Sequence, residues 1–208
     1  MKTAKYLKIA AVCALMSVVA LRGHAQVIPD TYLNIDWQFN VPLGNDFAGK
    51  SSGWGMNFEG GYFIVPSFAL GAFISYHTNL ESVERQTLLL SDGSSLTAAQ
   101  KHAVFQLPFG ITGRYQWASD RIVQPYVGMK LGANYAQMSS YYYVVKQYDE
   151  SWGFYMSPEA GISIFPNPDY RIGFHIAAYY SYATNSSRVL TYSLNNLNNF
   201  GIRVGISF

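Results

Sequence analysis

The sequence has little cysteine, little charge and no long apolar run. Its one cysteine, Cys13, lies in an amino-terminal apolar stretch, so the rest of the chain is expected to hold neither a disulfide nor a thiolate metal site. Charged residues make up 12% of the chain, against about 25% in ordinary soluble domains. No apolar run reaches the roughly 20 residues that a membrane-spanning helix needs. These absences disfavour an ordinary soluble domain and a helical membrane protein, and the scattered Lys and Arg do not indicate a nucleic-acid partner.

The amino terminus is typical of a secretory signal peptide. Its lysines precede the apolar run IAAVCALMSVVAL, and the small residues of GHA follow. We predict that residues 1–25 are cleaved and that residues 26–208 form one mature domain. Four of the 14 Lys and Arg leave with the signal, so the mature chain keeps 10 basic and 12 acidic residues. Its net charge is therefore expected to be slightly negative.

Apolar and polar residues alternate in eight segments of the mature chain. Successive side chains of an extended strand point to opposite faces, so an alternation with period two predicts strands. Aromatic residues, which favour strands, make up 16% of the chain. The eight segments are YLNIDWQFNV, WGMNFEGGYF, FALGAFISYH, HAVFQLPFGITGRY, PYVGMKLGANY, FYMSPEAGISI, YRIGFHIAAYYSY and NNFGIRVGISF. We therefore predict an all-β fold.

The connections between these segments alternate between short and long. Pro, Asp or Asn in the short connections favours turns. The predicted turns cover residues 64–67, 117–123 and 165–169. The predicted long polar loops cover residues 43–52, 79–100, 137–151 and 183–195. This arrangement predicts an eight-stranded antiparallel up-and-down sheet that closes into a barrel, which leaves no unpaired edge.

The two faces of the strands differ in composition, and this indicates which face lies inside. One face is apolar and aromatic, whereas the other holds mostly Gly, Ser, Asn and Thr with isolated charges. A soluble barrel or sandwich, the alternative reading, would carry many Lys and Glu on the face that meets water. We therefore predict that the apolar face meets lipid and that aromatic girdles lie near the strand ends. The girdle candidates are Tyr76, Tyr115, Trp117, Tyr135, Trp152 and Tyr182.

A family resemblance is carried by the segments GYFIVPSFALGAFISY, LPFGITGRYQW, PYVGMKLGANY and GIRVGISF. The chain resembles the small eight-stranded outer-membrane β-barrel proteins of Gram-negative bacteria, the group that includes the membrane domain of outer membrane protein A. The resemblance implies a location in the outer membrane, with contacts to outer-membrane lipid and lipopolysaccharide. In that family the last strand looks like an address for the barrel-assembly machinery, and the resemblance gives this role to Val204, Ile206 and Phe208.

Isolated charged residues on the predicted inner face are candidates for a structural site. Eight strands enclose a lumen that side chains can fill, and charges buried there need partners. We therefore predict an interior ion-pair and hydrogen-bond network that plugs the barrel. A polar conduit for ions or small solutes is the functional alternative. The network is predicted to contain Asp36, Glu59, Arg114, Lys130, Glu159, Arg171 and Arg203.

Nucleophilic and metal chemistry find little support in the sequence. His175 and Ser181 share a face, but at strand rise they lie roughly 20 Å apart. Ser75 and His77 lie roughly 7 Å apart on one face, yet no acid is assigned to orient the histidine. The four histidines are not closely spaced, and no glycine-rich phosphate loop opens a helix. We expect no enzymatic activity, no metal and no cofactor.

The predicted outer loops are where specific contacts would form on a rigid scaffold. Tyr141, Tyr142 and Tyr143 are candidates for binding an extracellular protein or glycan, and the alternative is that they extend the outer aromatic girdle. We predict a monomeric outer-membrane barrel with a structural or surface-interaction role. One rival is a narrow transporter or channel for small apolar molecules, and another is a lipid A-modifying enzyme.

Overall fold

Eight antiparallel strands close into a barrel in the computed structural model, in the order in which they occur in the chain. The structure describes residues 31–45, 47–89, 95–117, 121–142, 145–166, 172–189 and 191–208. The strands are β1 (Thr31–Leu43), β2 (Gly55–Val65), β3 (Phe68–Leu89), β4 (Ser95–Gln116), β5 (Val123–Tyr142), β6 (Val145–Ile164), β7 (Gly173–Val189) and β8 (Tyr192–Ser207). The predicted fold class is therefore confirmed. The predicted signal peptide lies outside the described residues.

The barrel is closed by the pairing of the first strand with the last. Ile35 of β1 lies opposite Phe58 of β2 on one side and opposite Ile206 of β8 on the other. At the end of this seam, the backbone N–H of Leu33 donates to the carbonyl oxygen of Phe208 at 3.0 Å, and the reciprocal bond measures 2.8 Å. The described residues include no helix that is long and apolar enough to cross a membrane.

Side chains alternate between an exposed apolar face and a buried polar face along each strand. On β4, Ile111 is 64% exposed while the next residue, Thr112, is 1% exposed. On β8, Ile202 points outward and the neighbouring Arg203 is fully buried. In a barrel, a face that is buried without packing against a second layer is the lumen. The apolar face is therefore on the outside, where a bilayer solvates it.

Aromatic side chains mark both ends of this exposed apolar surface. Tyr115 and Trp117 pack edge to face at the short-turn end, with ring centroids 5.1 Å apart. At the opposite end, Tyr135 lies 5.3 Å from Trp152, the residue opposite it on β6. We call the outward apolar surface between these two levels the apolar band; on β4 it runs from Phe105 to Tyr115.

Three of the predicted long loops are wrong, because the strands continue through most of them. The β3–β4 pairing extends to Leu89 opposite Ser95, the β5–β6 pairing to Tyr142 opposite Val145, and the β7–β8 pairing to Val189 opposite Tyr192. These extensions lie beyond the apolar band, where an outward side chain meets water. Their outer faces therefore mix polar side chains with tyrosines and small apolar residues, and the sequence there has the composition of a loop.

The wall of the barrel is lower at β1 and β2 than elsewhere. The β2–β3 pairing begins at Gly55 opposite His77, although β3 continues to Leu89. The connection between β1 and β2, residues 44–54, occupies this side. Its backbone is held by side chains of the taller wall: Gly49 N–H donates to Glu81 Oε2 at 2.7 Å, and Asn79 Nδ2 donates to the carbonyl oxygen of Lys50 at 2.9 Å.

Candidate functional site

The lumen at the level of the apolar band is filled by paired charges. Lys130 Nζ lies 2.6 Å from Glu59 Oε2 and 2.8 Å from Glu159 Oε2, and all three side chains are at most 1% exposed. Glu159 Oε2 also accepts a hydrogen bond from the guanidinium of Arg203. The carboxylate of Glu159 on β6 thus joins two cations from other strands, Lys130 of β5 and Arg203 of β8. This cluster holds β2, β5, β6 and β8 together across the lumen.

A histidine–aspartate pair lies beside this cluster and is connected to it. His175 Nδ1 lies 2.6 Å from Asp36 Oδ1. Asn57 Nδ2 donates to Asp36 Oδ2 at 2.9 Å, and Lys130 Nζ donates to Asn57 Oδ1 at 3.2 Å. Asn57 therefore links the two groups, and the charges form one continuous network.

Arg114 is held mainly by aromatic rings. Its guanidinium carbon lies 3.5 Å from the ring centroid of Tyr126 and 4.5 Å from that of Tyr32. The hydroxyl of Tyr32 donates to Glu59 at 2.8 Å, and that of Tyr126 donates to Glu159 at 3.1 Å. The two tyrosines thus connect the arginine to the carboxylates through cation–π contacts and hydrogen bonds.

All eight strands contribute to this interior network. Arg203 Nε donates to Gln38 Oε1 at 3.0 Å, and Gln38 Nε2 donates to His77 Nδ1 at 3.2 Å, which brings in β3. Of the seven charged residues predicted for the network, six lie inside the barrel and are buried, and Arg171 lies outside the described residues. Removing one partner of a buried charge leaves an uncompensated charge, so the members depend on one another.

Above the network, the lumen is filled by an apolar cluster at the outer mouth. We call this group of side chains the mouth cluster. It contains Phe47, Ala48, Phe73, Val104, Ala136, Met138, Tyr155, Ala183, Val189, Leu194 and Leu197, with Tyr192 packed against it. Most members lie on inward positions of the strand extensions. Phe47 and Ala48 come instead from the β1–β2 connection.

Phe47 is fixed in the mouth by local and long-range contacts. Asn45 Oδ1 accepts hydrogen bonds from the backbone N–H groups of Phe47 and Ala48, which folds this connection into a turn. The Phe47 ring stacks on His102 at a centroid distance of 4.1 Å, and Tyr192 packs edge-on against both rings. His102 lies beyond the apolar band, and burial lowers the pKa of its imidazole, while the Phe47 carbonyl and Glu81 act in the opposite direction.

Ser75 and His77, the closest serine–histidine pair in the sequence, both lie inside the lumen and are buried. His77 Nδ1 accepts a hydrogen bond from Gln38, and the Oγ of Ser75 has no hydrogen-bond partner among the residues that the structure describes. Within the described residues, neither side chain bonds a carboxylate, which a nucleophile–histidine pair would need to orient the base. No cluster of three His, Cys, Asp or Glu in the described part of the chain could hold a metal ion.

The three candidate contact tyrosines do not share one environment. Tyr141 points outward from β5 and is 40% exposed, with Lys146 Nζ at 5.5 Å from its ring centroid. Tyr142 points into the barrel and is 5% exposed, so its assignment as a contact residue is corrected. The reason is strand alternation, which continues through a segment predicted as loop. Tyr143 lies outside the described residues.

The closing strand presents the three residues assigned to the assembly signal. Val204, Ile206 and Phe208 all point outward and are 43%, 45% and 39% exposed. They form one apolar row on the lipid-facing surface beside β1 and β7. The assembly role itself stays a prediction.

Several network members were not singled out from the sequence. Gln38, Asn57 and His175 occupy inward-facing strand positions, as the predicted charged residues do. The alternation of polar and apolar residues was therefore enough to predict that they point into the lumen. The position of Phe47 could not be predicted in this way, because apolar and polar residues do not alternate in the β1–β2 connection. Tyr126 and Tyr32 could be placed beside Arg114 only once the register was known.

A closed barrel with an apolar outer band, two aromatic levels and a polar lumen defines an integral outer-membrane barrel protein. A model of the outer membrane protein beta-barrel domain family matches residues 11–208. The chain belongs to this family, and its location is the outer membrane of a Gram-negative bacterium. No curated protein matches the chain.

Solved structures of small outer-membrane barrels are similar to this one. Neisserial surface protein A (NspA) has a TM-score of 0.54 at 13% identity, covering 85% of this chain and 95% of that one. Outer membrane protein OprG from Pseudomonas aeruginosa has a TM-score of 0.51 at 14% identity, covering 86% and 94%. Ail of Yersinia pestis has a TM-score of 0.45 at 15% identity, covering 86% and 98%. For NspA and OprG, whose TM-scores exceed 0.5, the likeness at these identities shows the fold.

Glu159→Gln is expected to destabilise the barrel strongly, because it leaves Lys130 and Arg203 with one fewer compensating charge. Breaking a buried pair costs about 3–5 kcal/mol of unfolding free energy. Urea unfolding in lipid vesicles, followed by tryptophan fluorescence, measures this loss. Glu150→Gln is the matched control: Glu150 is exposed and accepts a hydrogen bond from Gln137, so its loss should cost less than about 1 kcal/mol. Equal losses in the two variants would show that the interior network does not stabilise the barrel.

Proposed function

We propose that the protein is a closed, non-enzymatic outer-membrane barrel with a structural or surface-interaction role. The observation that supports this proposal is that two layers of side chains fill the lumen. Paired charges occupy the level of the apolar band, and the mouth cluster occupies the level above it. An ion that crossed the barrel would have to displace both layers. This supports a plug rather than a conduit.

The strand extensions support the surface role. The β5–β6 extension carries Tyr141, Lys146 and Tyr148 on its outer face, and all three are exposed. Lys146 Nζ lies 5.5 Å and 5.0 Å from the ring centroids of Tyr141 and Tyr148. Paired strands hold these side chains rigidly beyond the apolar band, which lowers the entropy that a partner must overcome on binding. An extracellular protein or glycan is the partner class that fits this surface.

The structural details also favour the absence of catalysis. Ser75 and His77 face the lumen, away from the lipid that a lipid A-modifying enzyme would have to reach. His77 is bonded to Gln38, so its Nδ1 is not available to a carboxylate. We therefore do not favour the enzymatic alternative.

A transporter for small apolar molecules is a second candidate, and the mouth cluster is the observation that favours it. The cluster is apolar, lies directly beneath the β1–β2 connection, and is covered there by Phe47. Displacement of residues 44–54 would expose an apolar site on the low side of the wall. The interior network below the cluster would still obstruct passage, which is why we prefer the closed barrel.

Conductance and dye uptake together distinguish the closed barrel from a polar conduit and from a transporter of apolar molecules. The purified protein in planar lipid bilayers should show no discrete conductance steps, because both layers obstruct the lumen. Phe47→Ala should also be silent, since it removes one layer and leaves the charged network in place. Protein-dependent uptake of an apolar dye by liposomes that Phe47→Ala increases would support the transporter. Regular conductance steps in the unmodified protein would contradict the closed barrel.

The surface role is tested by shortening one extension. Replacing residues 139–148 by Asn-Gly joins Met138 to Asp149, which are already opposite each other, through a two-residue hairpin turn. Cells that display the full barrel should bind immobilised extracellular proteins or glycans at least about threefold better than cells that display the shortened barrel, because the exposed tyrosines are lost. Equal amounts of both forms in the outer membrane are the control. Equal binding by both, or none by the full barrel, would contradict the surface role.

A further inference from the structure

A cleft of about 810 Å³ lies on the outside of the barrel wall, across the extensions of β3, β4 and β5. We call it the outer cleft. The small side chains of Ala103 and Ser139 lie within it, and Leu80 and Phe105 border them. Lys101 and Tyr141 also line the cleft. Because side chains such as Leu80, Lys101 and Tyr141 point outward from the wall, the cleft opens sideways rather than into the lumen.

The height of the outer cleft places it at the membrane surface. Phe105 lies at the end of the apolar band, 6.5 Å from the ring centroid of Tyr135 in the outer girdle. From Phe105 to Lys101 the strand rises four residues, or about 13 Å along β4. The lower edge of the cleft therefore touches the hydrocarbon boundary, and its upper part lies among lipid headgroups. A ligand that reaches the cleft from the side is a neighbouring lipid.

The charge of the outer cleft favours an anionic headgroup. Lys101 lies opposite Tyr141, and Tyr141 lies opposite Lys146, so the three form one row across three adjacent strands. The amine of Lys146 leans towards the cleft and donates to Gln137 Oε1 at 3.2 Å. Lys101 and Lys146 thus stand on the two strands next to the exposed Tyr141, and Lys146 Nζ lies 5.5 Å from its ring centroid. Glu150, at the girdle end of the same face, is bonded by Gln137 Nε2 at 3.0 Å.

We infer that the outer cleft binds the headgroup of a phosphorylated glycolipid of the outer leaflet. Lys101 and Lys146 contact phosphate, the Tyr141 ring packs against a sugar, and the acyl chains continue down the apolar band past Phe105. Phosphate meets ammonium in strong charge-assisted hydrogen bonds, and sugar rings pack on aromatic faces. In this leaflet the glycolipid of that chemistry is lipopolysaccharide. The inference concerns the lipid around the barrel and holds whether or not the lumen is closed.

Binding of purified deep-rough lipopolysaccharide to the detergent-solubilised barrel tests this site. The double variant Lys101→Gln/Lys146→Gln should bind about tenfold more weakly, because two charge-assisted contacts are lost. Ala103→Trp, which fills the cleft without changing its charge, should weaken binding to a similar degree. Lys50→Gln/Arg188→Gln is the matched control: it removes the same charge from exposed positions outside the cleft, and its affinity should stay within about twofold of the unmodified value.

Three results would overturn the assignment. Phosphatase-treated lipopolysaccharide that binds as tightly as the untreated lipid would exclude the phosphate contacts. Equal weakening in the control and the lysine variant would reduce the effect to net charge, and inorganic phosphate that binds as tightly as the lipid would indicate an anion site alone. Each variant is first checked for heat-modifiable gel mobility, which reports a folded barrel. If Ala103→Trp fails this check, Ala99→Trp fills the cleft from an exposed position, and full binding by that variant would also contradict the proposal.

Discussion

A bilayer offers no hydrogen bonds to an exposed backbone, and this constraint governs the whole molecule. Each strand must be paired on both sides along the apolar band, so the first strand has to meet the last. The bonds between Leu33 and Phe208 are part of that closure. Once the sheet is closed, every residue of the band points either to lipid or to the lumen. The separation of apolar and polar residues follows from that choice.

Closure with only eight strands makes the lumen narrow enough for side chains to fill, and this explains its contents. A lone charge there would be costly, so the charges occur as a connected set in which Glu159 serves both Lys130 and Arg203. Outside the membrane the constraint relaxes. The wall is low at β1 and β2, and the connection between them folds inward to place Phe47 over the mouth. The same rule that demands pairing within the band thus permits a connection to fold into the mouth above it.

The alternation of residues was sufficient to predict the strands, their order and their two faces. It also identified the buried charges, because Glu59, Lys130 and Arg203 each interrupt a polar face of small residues. It could not identify the strand extensions, since both faces there are polar or mixed. Nor could it place Phe47 or pair Arg114 with Tyr126, because these contacts depend on register and on a connection without periodicity.

The apolar face of the strands meets lipid, and the polar face meets the lumen. Nitroxide labels at successive positions of β4 test this arrangement most directly, because cysteine is otherwise found only at Cys13. In vesicles, labels at Phe109→Cys and Ile111→Cys should collide freely with oxygen, which is concentrated in hydrocarbon, and rarely with a water-soluble nickel chelate. A label at Thr112→Cys should be shielded from both. Loss of this alternation, or nickel access at Ile111 equal to that of an exposed loop residue, would contradict the account.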